Sequence, residues 1–374
     1  MTQDYDAVVI GAGIVGAACA WKFARDGMKV AIVERDVIGG GATAAGMGHV
    51  VVMDDSPAQL ALTRFSQTLW TELSPHLPRR VEHDHNGTLW IATDDEEMEE
   101  VHRKNALYAA AGIATQVLNG SVLAEAEPWL CKPLPGALLV PSDSVLYAPG
   151  AAAFMVACAQ QAGASLLSEK TVTAVGQGQL QLDGHQRLRS SRIVIANGTA
   201  APELCPGLHI KKRKGHLAIT DRYPGKIKHQ LVELGYLKSV HSLTTDSVAF
   251  NVQPRMTGQL LIGSSRQYDV DERSIDQPIL SRMLERACGY LPALREVSVI
   301  RAWTGFRAAT PDKLPLIGPT ADPTVFLATG HEGLGITTSL ATARLLSDYF
   351  AGRESLVPLE PYLPSRFIPE ISHA

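Results

Sequence analysis

The stretch DYDAVVIGAGIVGAACAWKFARDGMKVAIVERD, residues 4–36, holds the pattern that decides the fold. The short β-branched run Asp6–Ile10 predicts a strand, and helical spacing follows from Ala17 to Asp26. Gly27 is placed to end that helix, and Val30–Val33 predicts a second strand. Strand, glycine-rich turn, helix and strand in this order indicate an α/β fold with a parallel sheet.

Three glycines and one acid in this stretch have the spacing of a dinucleotide-binding turn. Gly11 permits a tight turn, Gly13 lets the backbone approach a pyrophosphate, and Gly16 lets helix and strand pack closely. Glu34 follows Gly16 by 18 residues, where its carboxylate can accept hydrogen bonds from a ribose diol. An acid there argues against a 2′-phosphate, although Arg35 is adjacent. The motif predicts an adenine dinucleotide and leaves NAD and FAD both open.

The composition of the chain limits the classes of protein to which it can belong. A chain of 374 residues suggests two domains, and 45% hydrophobic with 19% charged residues is typical of a soluble globular protein. A net charge of −4 gives little support for nucleic-acid binding. The five cysteines form no CxxC pair, which argues against a metal site, a disulfide framework or an iron–sulfur cluster in this chain. Without an apolar stretch of about 18 residues we expect no membrane span and a cytoplasmic protein, with peripheral attachment to the inner membrane left open.

Two further glycine-rich segments resemble backbone built to approach a ligand. Residues 39–48 consist almost wholly of small residues, which suits either a flexible linker or backbone lying against a cofactor. Near the carboxyl end, Val325–Ala328 predicts a strand, Gly330–Gly335 a turn and Thr337–Phe350 a helix. Such a unit aims a helix amino terminus at an electron-rich group, unless it is a plain packing turn.

Four segments together resemble one enzyme superfamily. They are similar to segments of the D-amino-acid oxidase/dehydrogenase superfamily, which includes glycine and sarcosine oxidases. The four segments are VVIGAGIVGAACAWKFARDGMKVAIVER, GATAAGMG, WTGFRAATPDKLPLIGP and ATGHEGLGITTSLATARLLSDYF. The segment GATAAGMGHVVVMDDSPAQL is most similar to flavin subunits of multi-subunit bacterial dehydrogenases. These include the flavin (β) subunit of D-hydroxyproline dehydrogenase, which the chain resembles most, opine oxidase and the glycine-oxidising cyanide-forming enzyme. The resemblance implies a Rossmann-like FAD-binding domain of the glutathione-reductase type with an inserted antiparallel-sheet substrate domain. The implied boundaries are 1–80, 141–213 and 300–374 for the FAD-binding domain, and 81–140 and 214–299 for the substrate-binding domain.

The resemblance also implies that FAD is bound non-covalently. In sarcosine oxidases a cysteine after the Trp-x-Gly segment tethers the flavin, whereas Ala308 and Ala309 follow the arginine here. Gly46 stands where the family more often has Asn, which leaves one polar contact in doubt. The residues implied to contact FAD are Gly11, Ala12, Gly13, Ile14, Val15, Gly16, Glu34, Arg35, Gly41, Thr43, Gly46, Met47, Gly48, Val172, Gly198, Gly330, His331, Gly333, Leu334, Gly335, Ile336 and Thr337.

Arg307 matches the family's Trp-x-Gly-Leu/Phe-Arg pattern, in which the arginine holds the substrate's carboxylate. A guanidinium presents two parallel donors to a carboxylate, and the expected pocket has Trp303 and Phe306 as walls. The alternative is a structural salt bridge from Arg307 to an acid such as Asp312. Further candidates for contact with the substrate are His49, Tyr147 and Asn251.

The reaction implied by the resemblance is oxidation of a D-amino acid or a cyclic imino acid of the D-hydroxyproline type. Hydride passes from the α-carbon to flavin N5, an imine forms, and no dedicated base is required. A dehydrogenase must pass its electrons on, so other subunits of a hetero-oligomer are expected to carry further redox centres. The alternatives are an oxygen-using glycine or sarcosine oxidase and a non-catalytic FAD-binding partner subunit.

Overall fold

A computed structural model describes residues 3–235 and 246–367, and the chain divides into two compact units. Unit 1 comprises Met1–Val81, Tyr147–Lys212 and Phe306–Ala374, and unit 2 comprises Glu82–Leu146 and Arg213–Gly305. Each unit is therefore assembled from separate stretches of chain. Within the described residues, no helix combines the length and the apolar character that crossing a bilayer requires.

Unit 1 is built on a six-stranded sheet in the order β19-β20-β13-β2-β3-β9, in which only the β19–β20 pair is antiparallel. Numbered along the chain, these strands are β2 (Ala7–Ile10), β3 (Val30–Glu34), β9 (Ser165–Ser168), β13 (Ile193–Ile195), β19 (Leu316–Pro319) and β20 (Val325–Thr329). The helices of unit 1 are α1 (Ile14–Arg25), α2 (Ala42–Ala45), α3 (Pro57–Leu73), α6 (Ala148–Gln161), α7 (Ala201–Leu204) and α9 (Gly335–Phe350).

The parallel strands of unit 1 are covered on both faces, which explains why they are apolar without interruption. All four residues of β2 are buried. Its Val8 and Ile10 join a core with residues of a second, four-stranded sheet, while α1 packs on the sheet and on α6 and α9. The second sheet has the order β1 (Gln3–Tyr5), β12 (Arg187–Ser190), β11 (Gln179–Leu182) and β10 (Val172–Gly176). The predicted α/β fold of this part of the chain is confirmed.

Unit 2 contains most of an eight-stranded sheet in the order β18-β14-β17-β16-β15-β5-β7-β6. The predicted antiparallel sheet is corrected in one respect, because β5 and β15 pair in parallel. Two strands from distant parts of the chain meet there, which no local pattern encodes. The strands are β5 (Thr88–Ala92), β6 (Gln116–Asn119), β7 (Gly136–Val140), β14 (Lys211–Arg222), β15 (Gln230–Glu233), β16 (Ser247–Pro254), β17 (Gln259–Arg266) and β18 (Val299–Ala309); short β4 (His49–Val50) and β8 (Ser144–Val145) lie outside this sheet.

One face of the eight-stranded sheet packs on a helix that follows β17. Among the described residues of unit 2, the helices are α4 (Asp95–Ala110), α5 (Gly120–Ala126) and α8 (Gln277–Tyr290). Leu231, Phe250 and Val252 of the sheet form a core with Met283 and other apolar residues of α8. The buried carboxylate of Glu233 accepts hydrogen bonds from Arg286 and from the Tyr290 hydroxyl, which ties α8 to the sheet.

Candidate active site

The glycine turn between β2 and α1 is closed by backbone on two sides. A Cβ atom on Gly11 would lie 2.8 Å from the carbonyl oxygen of Ala196, and one on Gly16 would overlap the carbonyl oxygen of Gly11. At Gly13 the nearest atom to such a Cβ is the Thr43 hydroxyl, at 3.4 Å. Gly11 and Gly16 are therefore required by packing, whereas Gly13 leaves space over the start of α1.

Glu34 reaches back from the end of β3 to the glycine turn. Its Oε2 accepts a hydrogen bond from the Ala12 amide at 2.6 Å, and its Oε1 accepts one from the Asp36 amide at 2.8 Å. The carboxylate is thus fixed beside the turn with lone pairs remaining, as a ribose contact requires. The Arg35 side chain is 52% exposed and pairs with Asp36 instead.

The small-residue segment after β3 is folded against the start of α1 and is not a free linker. The buried Thr43 hydroxyl accepts a hydrogen bond from the Ile14 amide at 3.0 Å. A Cβ atom on Gly46 would lie 3.1 Å from Cδ1 of Ile336 in the first turn of α9. The segment, which also includes Gly41 and the buried Met47 and Gly48, therefore lies beside the first turns of both α1 and α9.

The amino termini of α1 and α9 lie next to each other. A Cβ atom on Gly335 would be 3.8 Å from Cγ2 of Val15. The Thr337 hydroxyl donates to the His49 carbonyl at 3.0 Å and accepts from the Val51 amide at 3.2 Å, so the first turn of α9 also holds β4. The first turns of both helices are uncharged, and two helix amino termini together give a positive potential that suits an anionic group.

His331 has its ring inside the protein. Burial lowers the pKa of His331 to about 3, so the imidazole is neutral at physiological pH. Its Nε2 lies 3.0 Å from the Thr342 hydroxyl in α9. A contact of His331 with a cofactor would therefore come from its backbone. Leu334, at the N-cap of α9, and Gly330 complete the turn.

The segment after a third strand, β13, brings to the glycine turn a polar residue that the glycine motif does not predict. A Cβ atom on Gly11 would be 3.1 Å from Cα of Asn197. The Asn197 Oδ1 is buried and has no hydrogen-bond partner among the described residues. The signal in the sequence is an amide two residues after a buried strand. The neighbouring Gly198 carbonyl accepts from the Thr329 hydroxyl at 3.1 Å, and Val172 is buried at the start of β10.

The end of β18, which carries Arg307, pairs through its backbone with the turn that precedes α9. Ala309 forms a β-bridge with His331, and the Glu332 amide donates to the Ala308 carbonyl at 2.9 Å. As a result, a Cβ atom on Gly333 would lie 3.7 Å from Nε of Arg307. The structure therefore brings Arg307, the α9 turn and the α1 turn together within unit 1.

Two expectations about the surroundings of Arg307 are changed by the structure. Asp312, considered as its salt-bridge partner, is held by Arg366, with Nε at 2.7 Å and Nη2 at 3.1 Å from its carboxylate. Phe306 precedes Arg307 in β18, so alternation along the strand directs the two side chains to opposite faces. Phe306 is therefore not a wall of the same pocket.

The remaining candidates lie in different places. His49 is in β4 and is tied to α9 through its carbonyl. Tyr147 is 45% exposed at the start of α6. Asn251 is 9% exposed on β16 of unit 2. Among residues 3–235 and 246–367, no group of three or more His, Cys, Asp and Glu side chains is arranged to hold a metal ion.

A family model described as FAD dependent oxidoreductase matches residues 6–349. The chain belongs to this family. FAD is accordingly its dinucleotide, which resolves the choice that the glycine motif left open. Three features fit such a group. They are the two adjacent, uncharged helix amino termini, the anchored carboxylate of Glu34, and the buried Oδ1 of Asn197, which has no partner among the described residues.

Individual relatives of this FAD dependent oxidoreductase agree along nearly its full length. Glycine oxidase of Geobacillus kaustophilus is 27% identical, with 99% of each chain covered. The crystal structure of glycine oxidase from that organism superposes with a TM-score of 0.88 at 25% identity, covering 98% of this chain and 100% of that one. Hydrogen cyanide synthase subunit HcnC of Pseudomonas aeruginosa is also 27% identical, over 99% of this chain and 98% of its own. L-proline dehydrogenase from P. horikoshii shares the fold, with a TM-score of 0.87 at 22% identity and 98% of each chain covered.

Proposed function

We propose that this protein oxidises a small D-amino acid or cyclic imino acid, of the D-hydroxyproline type, to the imine, with Arg307 binding the substrate's carboxylate. The observation that carries the proposal is the position of Arg307 beside Gly333, in the turn that leads into α9. That turn adjoins the glycine turn of α1 through Gly335 and Val15. A carboxylate on Arg307 would thus be bound in the unit that carries the FAD motif.

The guanidinium contributes binding and orientation. Two parallel N–H donors fix both the position and the rotation of a carboxylate. Bound FAD supplies the two-electron acceptor: the α-carbon C–H bond breaks, its hydride leaves, and the C–N bond becomes C=N. The substrate's nitrogen must first release a proton so that its lone pair can form the new bond. We therefore expect kcat/KM to rise with pH, and a flat profile from about pH 6 to 10 would count against this chemistry.

Further features belong to the same proposal. FAD is held without a covalent link, through the residues identified around the turns of α1 and α9. Unit 2 serves as the substrate-binding domain and carries Asn251, a candidate for further substrate contact. The other two candidates, His49 and Tyr147, belong to unit 1. The relatives named as a glycine oxidase and a proline dehydrogenase support an amino or imino acid substrate.

A multi-subunit dehydrogenase is the assembly that we favour. One relative is named as a subunit of hydrogen cyanide synthase, which supports a flavin chain that works with others. Two alternatives remain, an oxygen-using glycine or sarcosine oxidase and a non-catalytic FAD-binding subunit. Peroxide formation in air by the isolated chain would favour the oxidase.

The direct test is anaerobic titration of the FAD-loaded protein with amino and imino acids, followed by flavin absorbance. We expect loss of the oxidised flavin band with a cyclic or small D-amino acid such as D-proline. A screen in which no amino or imino acid reduces the flavin, while dithionite does, would contradict the proposal and favour the non-catalytic alternative.

A further inference from the structure

Unit 2 contains an open cavity at the carboxyl end of α8. Its volume is about 440 Å³, and its lining residues all belong to that one unit. They are Thr93 after β5, Cys131 and Leu134 before β7, and Arg286, Gly289 and Tyr290 in the last turns of α8. Among the described residues, none that we expect to contact FAD or substrate lines this cavity. The proposed reaction therefore does not account for it.

Gly289 leaves one wall of the cavity without a side chain, although the fold does not require glycine there. It lies inside α8, where glycine is less favourable than alanine. Its backbone is helical, and a Cβ atom at this position would meet no atom within 4 Å. Gly41, in the segment expected to contact FAD, also has a negative φ and the same open space. The missing side chain of Gly289 therefore enlarges the cavity and serves no need of the helix.

Most polar groups around the cavity already have partners. The Thr93 hydroxyl donates to Glu97 at 2.9 Å, and the Tyr290 hydroxyl donates to Glu233 at 3.0 Å. Nε and Nη2 of Arg286 both donate to Glu233. Nη1 of Arg286 has no hydrogen-bond partner among the described residues, and this side chain is 45% exposed. The strong group that remains for a ligand is a donor, so the ligand must carry an acceptor.

The charges around the cavity favour an uncharged ligand. Among the lining residues and their direct partners, the carboxylates of Glu233 and Glu97 stand against the single guanidinium of Arg286. Burial raises the pKa of the Cys131 thiol, which is therefore uncharged at neutral pH. The two carboxylates disfavour an anion, and the unengaged N–H groups of the guanidinium disfavour an ammonium group.

We propose that this cavity is a binding site for a small uncharged molecule with an apolar body and one carbonyl oxygen. The oxygen accepts a hydrogen bond from Nη1 of Arg286, and the apolar body packs against Leu134, Gly289 and the ring of Tyr290. The volume of the cavity lies in the range of small-molecule sites. This inference does not rest on the proposed oxidation, and its tests use no substrate.

Cys131 gives a readout at the site itself, because its thiol lines the cavity and is partly exposed. The FAD-loaded protein is alkylated with iodoacetamide, and the rates at Cys131 and at Cys205 in unit 1 are measured by peptide mass spectrometry. The probes are acetophenone, toluene, benzoate and benzylamine, which share a ring and differ in charge and acceptor. We expect acetophenone to slow alkylation of Cys131 by about fivefold and to raise Tm, since it binds only the folded protein. The other three probes should have little effect, and Cys205 should react at one rate throughout.

Substitutions in α8 test whether the effect arises in the cavity. Gly289→Phe should fill the cavity and abolish both effects of acetophenone, while its own Tm stays unchanged or rises because the Cβ position is open. Gly289→Ala adds one methyl group, so it should raise Tm and keep the protection of Cys131. Ser281→Phe is the matched control, since Ser281 is exposed about two turns earlier in α8 and does not line the cavity. It should change neither the protection nor the Tm shift.

Each other outcome would overturn the inference. Equal protection by acetophenone and toluene would show an apolar crevice that does not recognise an acceptor. Stronger protection by benzoate or benzylamine would contradict the argument from charge. Protection that persists in Gly289→Phe would place the effect outside this cavity. If no probe protects Cys131 or raises Tm at its solubility limit, the cavity is not a site for this class of ligand.

Discussion

Gly333 and Arg307 are neighbours, and a Cβ atom on the glycine would lie 3.7 Å from Nε of the arginine. The contact arises because the backbone of β18 pairs with the turn before α9, through Ala309 and His331. The residue that we propose to bind the substrate's carboxylate is thereby attached to the turn before α9, whose start lies beside the start of α1. The geometry of that turn should therefore control substrate binding.

The first prediction concerns the size of the residue at position 333. Gly333→Ala adds a methyl group at ordinary contact distance, so we expect KM to stay within about threefold of the wild-type value. Gly333→Leu places branched carbons against the Arg307 side chain and should lower kcat/KM by about a hundredfold, because misplaced binding groups are costly. Steady-state kinetics on both variants, with bound FAD measured by absorbance, provide the check. Equal KM values for the two variants would show that Arg307 does not depend on this contact.

The second prediction separates folding from cofactor binding at the glycine turn. Gly16→Ala forces a methyl group into the Gly11 carbonyl and should destabilise the apoprotein by about 3 kcal/mol or more. Gly13→Ala meets only the Thr43 hydroxyl, so the apoprotein should keep its stability. FAD affinity should nevertheless fall by about tenfold or more, because the methyl group occupies the approach to the pyrophosphate.

Apoprotein Tm and FAD titration by fluorescence quenching are the measurements for this pair. We expect Gly16→Ala to lower the Tm of the apoprotein and Gly13→Ala to lower only the affinity for FAD. Equal losses of apoprotein stability in both would contradict it.

The third prediction concerns pH and His331. The ordinary pKa of a histidine is about 6.5, and burial lowers the pKa of His331 to about 3 in the folded protein. Below about pH 6.5 the unfolded chain binds a proton that the folded state excludes, so the free energy of unfolding falls as pH falls. The slope from this group is at most about 1.4 kcal/mol per pH unit.

Replacing the imidazole should remove that slope. His331→Gln should cost stability at pH 7.5, through lost packing and the lost Thr342 contact, and its deficit relative to wild type should shrink from pH 6.5 to 4.5. Urea unfolding at several pH values measures this, with His102→Gln at an exposed position of α4 as the matched control. A deficit that is constant with pH would contradict the assignment.

Local patterns predicted much of the fold and part of the site. The strands and helices of residues 4–36 and 325–350 follow from hydrophobic periodicity and from glycine positions. Glu34 lies at the end of β3 beside the glycine turn, as its local spacing from Gly16 indicates, and its contact with a ribose stays a prediction. The start of α1 was predicted three residues late, since Ile14 contributes to the first turn.

The features that were missed depend on contacts distant in sequence. Three contacts could not be predicted, because each joins segments that are far apart in the chain and no local periodicity relates them. They are the parallel pairing of β5 with β15, the ion pair of Arg366 with Asp312, and the position of Asn197 beside Gly11.

The most direct test of the account is steady-state kinetics of Arg307→Ala with the best amino or imino acid from the anaerobic screen. Truncating one partner of a desolvated charge pair should raise KM by about a hundredfold, while stoichiometric FAD stays bound. Arg307→Lys should recover only part of the loss, because an ammonium cannot form the paired contact. An unchanged KM in Arg307→Ala with FAD retained would contradict the role of this residue.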